Sequence, residues 1–229
     1  MLEDLKEQVW QANRNLARRG LAALTWGNVS GIDRARGLVV IKPSGAACDD
    51  AGPADMVVVD LEGNVVEGRL KPSSDTPTHA VLYKAFEKIG GITHTHSSCA
   101  TMFAQARSEI PCFGTTHADH FYGPVPITRS MTQEEVESEY EANTGKVIVE
   151  RFEDVDPGAM PAVLVANDGP FTWGESPADS LRNAIALEEV AKMALGTLQI
   201  DPEADAISSY LLDRHYVRKH GAGAYCGQG

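Results

Sequence analysis

Three short runs rich in β-branched residues crowd into one stretch of the chain: Leu38-Val39-Val40-Ile41, Met56-Val57-Val58-Val59 and Asn64-Val65-Val66. Runs of this length and composition read as strands, and Glu62-Gly63-Asn64 reads as the turn of a hairpin between the last two. On either side the apolar spacing becomes helical. Leu5, Val9, Ala12 and Leu16 mark an amphipathic helix over residues 2–19, stopped by Gly20. A second helix covers residues 78–88 and ends at Gly90-Gly91. Ile92-Thr93-His94-Thr95-His96 then reads as a short buried strand leading into a helix over residues 99–106. Thr132 with Glu135 three residues on is a capping box, so a helix starts there. Ala162-Val163-Leu164-Val165-Ala166 is a further strand, followed by a turn at Asp168-Gly169-Pro170. Ser176-Pro177 opens a long helix, because serine accepts from the open amides of a first turn and proline is tolerated there. A last helix is expected over residues 204–219. With no repeat, low-complexity tract or linker, the fold class is α/β, one mixed domain over residues 1–229.

A chain of 229 residues buries about 70% of the surface its unfolded form exposes, enough for a core of its own. Its 20 basic and 32 acidic residues leave a formal charge of -12, which repels polyphosphates at long range. No nucleic-acid partner is expected, and an anionic substrate must be captured by a local site. The longest apolar runs fall far short of the roughly 20 residues that span a bilayer, so no membrane partner is expected. The acidic N-terminus has neither the basic start nor the apolar stretch of a secretory signal. Cys48, Cys99, Cys112 and Cys226 form no C-x-x-C pair and read as free thiols of a cytoplasmic protein.

Five segments carry residues suited to chemistry. In His94-Thr95-His96, alternate strand residues point to one face, where two imidazoles can share a metal ion. Asp75 precedes the helix that leads into this strand and can return a carboxylate to the same edge. Residues 25–31 and Lys42-Pro43-Ser44-Gly45 are rich in glycine and small polar groups, which let backbone amides approach a phosphate, with Lys42 adding a point charge. Turns use the same residues, so either segment alone is a weak signal. Residues 114–123 pack two threonine hydroxyls, two imidazoles and a carboxylate into one loop-like segment, a density that fits a catalytic acid or base. The Walker pattern is absent, and the glycines after residue 220 neither follow a strand nor open a helix.

Together these motifs resemble the L-ribulose-5-phosphate 4-epimerase branch of the class II aldolase/adducin-head family. The resemblance runs from Leu2-Glu3-Asp4-Leu5-Lys6 through Thr25-Trp26-Gly27-Asn28-Val29-Ser30, Ile41-Lys42-Pro43-Ser44-Gly45, Lys71-Pro72-Ser73-Ser74-Asp75-Thr76-Pro77-Thr78-His79 and Gly114-Thr115-Thr116-His117-Ala118-Asp119 to Arg218-Lys219-His220-Gly221-Ala222. It implies a central, mostly antiparallel sheet flanked by helices, and a homotetramer with active sites between subunits. By resemblance Gly27, Asn28, Ser44, Gly45, Ser73 and Ser74 hold the substrate phosphate. Asp75, His94 and His96 bind one divalent ion, zinc in the first place, with manganese or cobalt as alternatives. Asp119 is an acid/base group that reaches into a neighbour's site, and Thr116 and His215 lie near the substrate. The implied substrate is a phosphorylated ketopentose. Its C3 to C4 bond breaks to an enediolate and glycolaldehyde phosphate, and re-addition to the other aldehyde face inverts C4, a step of arabinose catabolism.

Two functional positions depart from the family. Asp168 stands where the family has its third metal histidine, giving a harder, more negative donor set that favours manganese. Cys226, next to Tyr225, stands where the family has its C-terminal catalytic tyrosine. An aldolase on a related sugar phosphate and a catalytically impaired binding homologue are the competing readings. By resemblance, Asp75 in place of a glutamate favours the epimerase over the aldolase.

Overall fold

The computed structural model describes residues 2–47 and 51–221. The three β-branched runs become β2 (Leu38–Ile41), β3 (Val57–Asp60) and β4 (Val65–Glu67), preceded by β1 (Asn28–Asp33) and followed by β5 (Gly91–His94), β6 (Ala162–Leu164) and β7 (Pro170–Gly174). They form one sheet in the order β4-β3-β2-β1-β5-β7-β6, and every ladder within it is antiparallel. The expected antiparallel α/β architecture and the β3-β4 hairpin are both present.

Strand alternation decides what covers each face. Val40 and Val58 join Val9 of α1 (Glu3–Arg18) in one cluster, whereas Val39, Val57 and Val59 join Leu82, Tyr83 and Phe86 at α2 (Thr76–Ala85) in another. The long α7 (Pro177–Ile200) lies across β5 and β7 and beside α1. The Ser176 hydroxyl caps it, accepting from the Asp179 N–H at 3.2 Å. Packed against α7 is α3 (Ser98–Ala106), whose first amides, Cys99 and Ala100, donate to the Glu188 carboxylate at 2.8 and 3.0 Å. Phe86, Phe152 and Trp173 close the core with ring centroids 5.0 to 5.6 Å apart, each pair worth about 0.5–1.5 kcal/mol beyond its burial.

Four local expectations change. Of residues 25–31, read as a polar loop, residues 28–31 belong to the central strand β1. Asn, Ser, Gly and Asp are poor strand formers in isolation, but β1 is paired on both edges, and tertiary pairing outweighs propensity. Within the segment read as loop-like, residues 115–118 form a helical turn, α4 (Thr115–Ala118). The Thr132–Glu135 capping box is present but heads only the short α5 (Gln133–Glu137), and the main helix here is α6 (Tyr140–Arg151). Its buried face includes Asn143, Thr144 and Gly145, so no apolar stripe announces it. The last helix, α8 (Ser209–His220), starts five residues later than expected. Asp201 turns the chain first, accepting from the N–H groups of Glu203 and Ala204, and the Ile207 N–H goes to the Cys112 carbonyl.

Candidate active site

His94 ends β5, and His96 lies just beyond the strand, yet their Nε2 atoms are only 3.2 Å apart. The turn between β6 and β7 brings Asp168 to the same point, with Oδ1 3.6 Å from His96 Nε2. The ligand atoms of His94, His96 and Asp168 all lie within 4.8 Å of one another. His94 donates from Nδ1 to the Pro170 carbonyl at 3.0 Å and stacks on Phe171 at 4.1 Å. That bond fixes the tautomer and leaves the Nε2 lone pair to face the cluster, the usual outer support of a metal-binding imidazole. Burial and the neighbouring His94 lower the His96 pKa against the pull of Asp168 and Asp75, which favours the neutral form a metal requires. Two imidazole nitrogens and a carboxylate oxygen converging in this way fit a divalent cation.

Asp75, the fourth expected donor, stands outside that cluster. It precedes α2, and its Oδ2 accepts from Asn28 Nδ2 at 2.5 Å. The same amide reaches Ser73 Oγ at 3.3 Å, so Asn28 ties two of the expected site segments together. Gly27 explains how the first loop gets so close to β5. Its φ is +78°, and a Cβ there would lie 2.8 Å from the His94 carbonyl oxygen. The Lys42 ammonium is buried and donates to the carbonyls of Thr25 and Ala46 at 3.2 and 2.7 Å, bracing one loop against the other.

All of these groups line one pocket of about 390 Å³. It gathers Gly27, Asn28, Lys42, Ser44, Gly45, Ser73 and Ser74 beside Asp75, His94, His96 and Asp168. A cavity of about 760 Å³ lies elsewhere, lined by Phe86, His120, Arg182 and Trp173 among others. It contains none of the clustered donors, so chemistry and not size selects the smaller pocket. Trp26 and Tyr140 also line the selected site and were missed by sequence reasoning. Trp26 lies within the quoted loop, but no local pattern marks Tyr140, the first residue of an unforeseen helix.

Among the described residues, the remaining candidates Asp119, His215 and Thr116 do not line this pocket. Asp119 follows α4 and is bound by α8: Arg218 Nη2 lies 2.8 Å from its Oδ2, His215 Nδ1 3.0 Å from its Oδ1, and Lys219 Nζ 3.6 Å from its Oδ2. Burial opposes its charge, but the hydrogen bonds from Arg218 and His215 with the nearby Lys219 hold the carboxyl below the usual aspartate range. The basic end of α8 is therefore partly engaged with Asp119. Thr116 faces a different recess with Phe113, Val190 and Met193. Nearby His117 is buried and bonded to the Gly123 carbonyl, and burial lowers its pKa to about 4. Tyr225, Cys226 and Cys48 lie outside the described residues, while Cys99 and Cys112 are free thiols. Among the described residues no helix is long and apolar enough to cross a membrane.

Known proteins share this arrangement of chain. Residues 7–195 match the family described as Class II Aldolase and Adducin N-terminal domain. The L-ribulose-5-phosphate 4-epimerase UlaF of Salmonella paratyphi B is 53% identical over 227 residues, which is 99% of this chain and 100% of that protein. Among solved structures, an L-fuculose 1-phosphate aldolase superposes with a TM-score of 0.79 at 26% identity, covering 93% of this chain and 94% of that one. YgbL of Klebsiella pneumoniae gives a TM-score of 0.73 at 25% identity, covering 93% and 99%.

Proposed function

We propose that this chain, which belongs to the class II aldolase and adducin N-terminal domain family, is a metal-dependent sugar-phosphate epimerase that interconverts L-ribulose 5-phosphate and D-xylulose 5-phosphate. The observation that carries the reading is the single pocket in which the donors His94, His96 and Asp168 adjoin the residues of the phosphate loops. Gly27, Asn28, Lys42, Ser44, Gly45, Ser73 and Ser74 seat the phosphate, with Asp75 beside the metal ligands. A divalent ion, zinc or the manganese or cobalt that Asp168 also suits, supplies Lewis-acid stabilisation of the charge that develops as the C3 to C4 bond breaks. Holding the phosphate keeps the two-carbon fragment in place while its aldehyde turns.

Proton transfer at the C4 hydroxyl falls to Asp119 of a neighbouring copy in a homotetramer, with Thr116 and His215 beside the substrate. The spatial separation of Asp119 from the pocket within one chain supports this division. Arg218 and His215 keep the carboxylate ionised, the form that accepts a proton. Tyr225 or Cys226 is the second acid/base group. The free thiols and the sugar-phosphate chemistry favour a cytoplasmic setting.

The test is a coupled assay for D-xylulose 5-phosphate on metal-stripped protein, with zinc, manganese or cobalt added back. Turnover that returns with an ion is expected. A folded sample inactive with every ion would defeat the proposal. The likeness to L-fuculose 1-phosphate aldolase favours an aldolase as the second reading, and net release of glycolaldehyde phosphate in the same assay would select it.

A further inference from the structure

Beneath the pocket, α2 and β1 meet in a ladder of two polar rungs. Asp75 and His79 are one helical turn apart, the His79 N–H donating to the Asp75 carbonyl at 3.0 Å, and Asn28 and Ser30 share one face of β1. Asn28 Nδ2 donates to Asp75 on the first rung. On the second, Ser30 Oγ lies 2.7 Å from His79 Nδ1 and 2.8 Å from the Tyr83 hydroxyl. All three residues of this second rung are fully buried.

Counting protons gives the rung a direction. His79 and Tyr83 are fully buried, and burial disfavours the charged form of each, so His79 is neutral with one N–H and Tyr83 keeps its proton. Were His79 Nδ1–H to donate to Ser30, and Ser30 to Tyr83, the phenol proton and the His79 Nε2 lone pair would both lack partners. With Tyr83 donating to Ser30 and Ser30 to Nδ1, only Nε2–H is left over. Each unmet buried group costs about 1–3 kcal/mol, so the second arrangement prevails.

Among the described residues, three buried side-chain atoms have no protein hydrogen-bond partner, and two of them are His79 Nε2 and Asn28 Oδ1. They lie on adjacent rungs, one a donor and the other an acceptor. Turning the Asn28 amide over would set its oxygen against the Asp75 carboxylate, so the acceptor is fixed where it is. A water molecule accepts from one such group and donates to the other.

We propose that one buried water bridges His79 Nε2–H to Asn28 Oδ1, making His79 a positioning residue that holds the Asn28 amide under the substrate phosphate and, through it, Asp75 beside the metal ligands. Its effect on turnover rests on the epimerase reading, whereas the bridge itself does not.

Two measurements separate them. On the parent protein, nitrogen-15 spectra of the histidines should show His79 as the Nε2–H tautomer across pH 5–8, and a high-resolution crystal structure should place one water within hydrogen-bonding distance of both atoms. The Nδ1–H tautomer, or Nε2 bonded directly to protein, would overturn the bridge. Among variants, His79→Phe fills the space without a donor, and His79→Gln returns an N–H near the Nε2 position. With metal added, His79→Phe should raise KM about tenfold and change kcat less than about threefold, while His79→Gln stays within about threefold of the parent in both. Equal losses in two folded variants would reduce His79 to a packing role and overturn the positioning claim. An inactive parent that shows the tautomer and the water would sustain the bridge and sink the epimerase reading.

Discussion

Gly27→Ala isolates the close approach between the loop before β1 and the end of β5. Gly27 has φ +78°, and the added methyl would lie 2.8 Å from the His94 carbonyl oxygen, a backbone atom with little room to give. Gly20 supplies the control: its φ is +71°, but a Cβ there meets nothing within 4 Å. Alanine in the left-handed region costs about 1–2 kcal/mol at either position. At Gly27 the contact adds an overpacking term of about 1–3 kcal/mol. In a domain of this size each kcal/mol moves Tm by about 2–4 °C, so a further 2 kcal/mol at Gly27 lowers its Tm about 4–8 °C below that of Gly20→Ala. Because the displaced atom belongs to His94, Gly27→Ala should also weaken metal binding about tenfold or more, the range seen when the support of a ligand is disturbed. Scanning calorimetry of the metal-free proteins and metal titration of the folded ones read the two effects. Equal Tm losses in the two variants, with equal metal affinity, would refute the contact as the cause.

Three further outcomes are expected. Asp119→Asn should flatten the acid limb of stability: the folded carboxyl is held below its unfolded value of about 4, so its contribution is present above that pH and lost as pH falls through the folded pKa. Urea midpoints measured from pH 7 to pH 2 would show the parent losing more than the variant, and parallel curves would contradict the bonding to Arg218 and His215. Asp168→His should shift the site from manganese toward zinc by about tenfold or more in competition with a chelator, and an unchanged ratio would mean that Asp168 is not a ligand. Ser176→Ala should cost about 1 kcal/mol through the lost cap of α7, a Tm fall of about 2–4 °C without effect on metal affinity.

Where burial and turn chemistry act locally, the chain announced its fold. The valine runs of β2 and β3, the serine and proline before α7 and the Thr132 box all appear where their residues place them, because each is decided by neighbours in sequence. Where a segment is decided by what it meets in space, the reading failed. β1 is built from residues that favour turns and is held by strands on both sides. α6 buries asparagine, threonine and glycine. The same division runs through the site. His94, His96 and the loop residues that line the pocket were visible as motifs, and Asp168 as a departure from the family pattern, but the bond between Asn28 and Asp75 and the place of Tyr140 depend on the packing of distant segments. Nothing in α8 itself indicates that Asp119, about a hundred residues earlier, lies against Arg218 and Lys219.

Mixing subunits tests most directly whether two groups that one chain keeps apart make a single active site. His94→Ala and Asp119→Asn proteins, each expected to be inactive alone, are unfolded together, refolded as mixed oligomers with metal and assayed for D-xylulose 5-phosphate. If each site takes its metal ligands from one copy and Asp119 from the next, about a quarter of the sites in an equal mixture are intact, and activity returns to about that fraction of the parent. A mixture that assembles and remains inactive would contradict a site shared between copies.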